Sequence, residues 1–232
     1  MLSLLPSRTG LLRLVATALL ATTGAAVADD FRLLKIDGHQ MKWGTAQLGT
    51  GAEVTYGFAT QAHSFPDAVN CGELAPMDTM AAPWGGDPLR LDAVAAEAFA
   101  IWSIAADLHF RPAAAGEAPD ILIGAQAKPR RIAFANVWFD AAASEQGVAP
   151  LTQATICFNP ALIWDVEAAP VQLGPRHDFG TVLAHEIGHA IGLDHPGPTG
   201  SLMGYQNQGA IEALMPGDVA GAITLYGVRP AT

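Results

Sequence analysis

Residues 185–196 read HEIGHAIGLDHP. On a helix, His185 and His189 lie one turn apart on the same face, where two neutral imidazoles can hold one metal ion. Gly192 falls just after the run 181–191, and a glycine there can take the left-handed conformation that ends a helix. The chain can then turn and bring His195 back to the same ion. Three nitrogen ligands with an open fourth position mark a catalytic zinc site rather than a structural one. Glu186 is adjacent to a ligand but off the metal-binding face, where it can reach a water at the open position and act as general base. His39, His63, His109 and His177 stand alone and read as ordinary histidines, although His177 lies close enough to the helix start to border a cleft.

The pattern H-E-x-x-H-x-x-G-x-x-H resembles that of the metzincin metallopeptidases. These enzymes also carry a methionine turn below the zinc, and "SLMGY" supplies Met203, eight residues after His195. That short spacing is similar to the matrixins, the matrix-metalloproteinase branch. Ser201-x-Met203-x-Tyr205 is similar to the turn of serralysins and astacins. "AEAFAIWSIAADLHF", "DILIG" and "GDVAGAITLYG" resemble matrixin segments, so the resemblance runs from about Val54 to Gly227. It implies an α+β, metzincin-type zincin fold: a twisted, mixed five-stranded sheet, three helices and a small C-terminal subdomain below the cleft. It also implies one catalytic zinc on His185, His189 and His195, with Met203 packed under the metal. For Tyr205 two readings stay open, a hydroxyl that helps hold the oxyanion or a ring in the cleft wall. Matrixins hold a second, structural zinc through histidines ahead of the active-site helix. The comparable segments "IAFANVWF" and "ATICFN" have Asn136 and Cys157 instead, which argues against that second ion. Calcium sites are not legible, because the acidic residues fit no loop signature.

Elements must position these residues. The stretch 53–60 alternates and is rich in strand formers, and 108–112, 120–125, 131–139 and 153–159 read as further strands. The run 131–139 is expected at an edge. The continuous apolar run at 120–125 suits a strand buried on both faces. A long helix is expected over 89–106, with Leu91, Val94, Ala98, Ile101, Trp102 and Ala105 toward the core. Asp178 is the expected N-cap of the zinc helix, and Pro216–Tyr226 the last helix, closed by Gly227.

Residues 1–28 read as a secretory signal: Arg8 and Arg13, then "LVATALLATTGAA", then the small-residue site AVA at 26–28. The apolar run is short for a membrane span. The expected organisation is thus a signal at 1–28, a lead-in at 29–52 and a catalytic domain at 53–232. Losing the two signal arginines takes the net charge from −10 to −12. Such acidity argues against nucleic acid or an anionic membrane as partner. Cys71 and Cys157 are the two cysteines. In an exported chain they most simply form a disulfide, and the alternative is Cys71 as a latency thiol on the zinc. The expectation is a secreted or periplasmic, monomeric zinc endopeptidase acting on peptide or protein. Two other classes remain open, an exported zinc-binding or adhesion module without turnover and a zinc hydrolase of a non-peptide amide.

Overall fold

The computed structural model describes residues 31–81, 88–166, 177–206 and 213–231. The expected signal at 1–28 lies outside the described residues. In chain order the strands are β1 (Arg32–Leu33), β2 (Lys35–Ile36), β3 (His39–Lys42), β4 (Ala52–Phe58), β5 (His63–Ser64) and β6 (Glu73–Ala75). Helices α1 (Asp78–Ala81) and α2 (Pro88–Ala105) follow, then β7 (Leu108–Pro112), β8 (Ile121–Gln126), β9 (Ala133–Phe139) and β10 (Val148–Phe158). The last third holds β11 (Trp164–Asp165), β12 (His177–Asp178), α3 (Phe179–Ala190), β13 (Leu193–Asp194) and α4 (Pro216–Tyr226).

Five strands form the body of the main sheet in the order β9-β10-β8-β4-β7; β9 runs antiparallel to β10 and the others are parallel. This is the expected mixed α+β arrangement. Four short strands extend it: β2 and β3 join through β10, and β5 and β6 through β8. The lead-in at 29–52 therefore contributes sheet, because β3 adds to the first residues of β10, Val148 opposite Gln40. Every residue of β8 is buried, as its unbroken apolar run requires in the centre of a covered sheet. Strand β10 starts five residues earlier than its apolar signal, where it pairs with β3.

Helix α2 turns Leu91, Ala98 and Trp102 into the core, with Val94 and Ile101 packed at its margin. Trp102 is wholly covered and donates its indole N–H to the Ala184 carbonyl of α3 at 2.9 Å. Burying such large side chains contributes roughly 1.5–3 kcal/mol each, and the hydrogen bond fixes how α2 and α3 meet. At the far end of α3, Trp43 donates its ring N–H to the Ala190 carbonyl at 2.8 Å. Tyr226 of α4 donates its hydroxyl to the Ile191 carbonyl at 2.7 Å and accepts from the Trp43 backbone N–H at 3.0 Å. Burial raises the Tyr226 pKa, so the phenol stays protonated as donor.

Candidate metal centre and cleft

The helix that carries the metal-avid motif begins where its cap predicts. Asp178 accepts from the Thr181 backbone N–H at 2.6 Å, filling one of the donors a helix start leaves open. Gly192 has φ +104°, and a Cβ there would run into the Met41 carbonyl. Only glycine allows the reversal at this point. The chain returns through β13, and His195 arrives with Nε2 3.1 Å from Nε2 of both His185 and His189.

The second ring nitrogens fix the tautomers of the two helical histidines. His185 Nδ1 lies 2.7 Å from the Leu202 carbonyl and His189 Nδ1 lies 2.8 Å from the Leu193 carbonyl. A carbonyl only accepts, so both Nδ1 atoms carry the proton and both Nε2 atoms present a lone pair. Burial pushes the His189 pKa down to about 3 and lowers those of His185 and His195, so the rings are the neutral imidazoles a cation needs. Ligands around one tetrahedral zinc stand roughly 3.3 Å apart. The converging lone pairs fit that spacing, and among the described residues this is the group whose donor atoms could hold a metal ion.

Glu186 points off this face, as expected. It is 7% exposed, and its carboxyl feels the Ala135 backbone N–H of β9. Burial pushes its carboxyl up to about 8, against the opposing pull of that N–H. A covered carboxyl on a cleft wall with a raised pKa is a group able to take and return a proton near neutrality.

Met203 packs beneath the helix and is 2% exposed. Gly188 makes this possible, since a Cβ there would overlap the Met203 sulfur and stand 3.0 Å from Trp102. The turn is held by Asp218 of α4, which accepts from the backbone N–H groups of Leu202 at 2.8 Å, Met203 at 3.1 Å and Met215 at 2.9 Å. The Leu202 unit thus receives support from Asp218 on its N–H and orients His185 through its carbonyl. Sequence reading missed Asp218, whose only signal is an acidic residue in the first turn of the last helix.

Tyr205 stands at the cleft with its ring 6.1 Å from that of His195, edge to face, and 60% exposed. His177 pairs in β12 and lies against Trp164 at 5.5 Å, with no place in the cleft lining. Cys71 and Cys157 form a disulfide with Cα atoms 6.5 Å apart, so Cys71 is not a thiol facing the histidines. Asn136 accepts from the Asn70 N–H at 2.9 Å and donates to Thr155.

The triad lies in a cleft of about 810 Å³ between β9 and α3. Leu34 and Ile36 of the lead-in and the loop residues Asp67–Asn70 also line it. Sequence periodicity gave no sign of either set.

Comparison with known proteins agrees with this geometry. Residues 87–227 match the matrixin peptidase family. Mouse (Mus musculus) matrix metalloproteinase-19 is 33% identical over 143 residues, which is 60% of this chain and 26% of that protein. The chain spans only about a quarter of that relative's length. The family match takes in more than half of the chain, including the triad, the methionine turn and the last helix, and the chain belongs to the matrixins within the metzincins.

Proposed function

We propose that this chain is an exported, zinc-dependent endopeptidase that hydrolyses peptide bonds with Glu186 as general base. The observation that carries the reading is the pairing of three converging imidazoles with a covered carboxyl beside them. His185, His189 and His195 would hold one zinc ion, which when bound supplies a Lewis acid that activates water near neutral pH and polarises a carbonyl. Glu186 takes the proton of the attacking water and returns it to the leaving amine. Burial raises its pKa and so strengthens the carboxylate as a proton acceptor. Tyr205 can donate its hydroxyl to the oxyanion from the open side of His195.

Strand β9 binds the substrate. Among the described residues it pairs only with β10 and is the edge of the sheet body, and an unpaired edge takes an extended peptide by strand addition. Ala133, Ala135 and Val137 of β9 line the cleft together with Glu186. The leader at 1–28 supports export, the domain at 53–232 supplies the chemistry, and the lead-in at 29–52 lines the cleft through Leu34 and Ile36. The protein acts as a monomer. A module that merely held zinc would have no use for an acid at Glu186.

Glu186→Gln tests the mechanism. It keeps the side chain's size and every proposed ligand but cannot accept the proton. Zinc content and thermal stability should stay near those of the unmodified protein while turnover falls by at least 10²–10⁴-fold, as expected for a positioned acid–base group. Full activity in the glutamine variant would contradict the assignment. Cleavage of non-peptide amides with every peptide left intact would move the substrate class.

A further inference from the structure

The edge strand β9 is covered on both faces, and the second cover is not a helix. Ala133, Ala135, Val137 and Phe139 pack toward the main core. The alternate residues face outward, as the period of a strand dictates, and a single loop meets all three of them. Phe134 packs against the Cys71–Cys157 cluster. Asn136 accepts the Asn70 N–H at 2.9 Å. Trp138 meets the ring of Phe65 at 5.4 Å. The loop is closed at its base by Phe65 N–H to the Gly72 carbonyl at 2.7 Å and tethered to β10 through the disulfide. Arg130 adds a further hold by donating to the Asn70 carbonyl at 2.6 Å.

This tether carries Asp67, Ala68, Val69 and Asn70 to the cleft that contains His185 and Glu186. Val69 is 88% exposed. It contributes little to holding the loop, yet it places an apolar side chain at the wall of the site. A peptide added to β9 would alternate its side chains, one set toward α3 and the histidines and the other toward this loop.

We propose that the disulfide-tethered loop from Phe65 to Cys71 is the second wall of the substrate site, and that Val69 is a specificity-determining residue that receives an apolar side chain of the bound peptide. The inference rests on the endopeptidase reading and adds to it a preference for apolar residues at the loop-facing positions. Asn70 and Asn136 are positioning residues: they set the loop's height over the strand and do not reach the reacting atoms.

The test uses the full-length, zinc-loaded protein and matched fluorogenic peptides carrying leucine, aspartate or lysine at each loop-facing position. Val69→Asp and Val69→Lys are compared with the unmodified protein. The site is exposed, so both variants should keep their melting temperature. Each should lose about tenfold in kcat/KM on the leucine peptides, within the range for a mismatched apolar contact, through KM with kcat unchanged. Val69→Lys should gain relative preference for the aspartate peptides and Val69→Asp for the lysine peptides, a reciprocal swap that a structural role would not produce. Cleavage by the unmodified protein with preferences unmoved in both variants would overturn the wall. If the unmodified protein cleaves none of the peptides, the peptidase reading fails and the inference falls with it.

Discussion

At the scale of single residues, the candidate metal centre is assembled by local chemistry. His185 and His189 share a helix face by spacing alone, Gly192 announces the reversal, and Asp178 caps the helix as its type suggests. Asp218, Leu34 and Ile36 were not legible, since each acts across the fold from its neighbours in sequence. Gly188 lies between these cases: the motif contains it, but its purpose shows only against Met203. Gly188→Ala would place a Cβ on the methionine sulfur and against Trp102. The thioether can move, whereas the indole is pinned by its bond to Ala184. We expect a loss of about 1–3 kcal/mol in denaturant unfolding, the usual cost of overpacking. Because the methionine turn also supplies the partner of His185, zinc affinity should fall too. An unchanged unfolding midpoint would show that the turn is free to shift.

At the scale of elements, long periodic segments were read well and short paired ones were not. The helix expected at 89–106 and the helix Pro216–Tyr226 lie within a residue of their observed bounds. Strands β1 to β3 are two to four residues long and exist because β13 and β10 pair with them, information no local pattern carries. Lys42 is a similar case. It is fully covered, with its ammonium donating to the Trp43 and Thr45 carbonyls at 2.7 and 2.8 Å, and burial pushes its pKa down to about 8. The disulfide was expected from cell compartment alone, and its role as the tether of a cleft wall emerges only from the loop's contacts with β9. It joins residues 86 apart, so the chain-entropy model gives an upper guide of about 4–5 kcal/mol for its contribution. Replacing both cysteines by alanine should lower the unfolding free energy by up to that amount. A loss below about 1 kcal/mol would mean that the noncovalent contacts of Phe65, Asn70 and Arg130 hold the loop unaided.

At the scale of the whole molecule, remote segments converge on helix α3 and the methionine turn. Trp43 binds Ala190, Tyr226 binds Ile191, Asp218 holds the methionine turn, and Arg32 pairs with Asp194 at 3.0 Å beside His195. The last of these is largely exposed and contributes little by itself. Together they hold the three histidines where one ion could take them, so metal bound by the folded state should stabilise the whole domain by mass action. The central claim is that one zinc ion in this triad makes the protein a peptidase. The direct measurement is cleavage of a peptide mixture by the full-length protein as zinc is stripped by a chelator and then returned in known equivalents, with metal content and melting temperature followed in parallel. Activity and melting temperature should fall together on chelation, and both should recover fully at one zinc per chain. Peptide cleavage that persists in metal-free protein, or zinc-loaded protein that cleaves no peptide, would contradict the account.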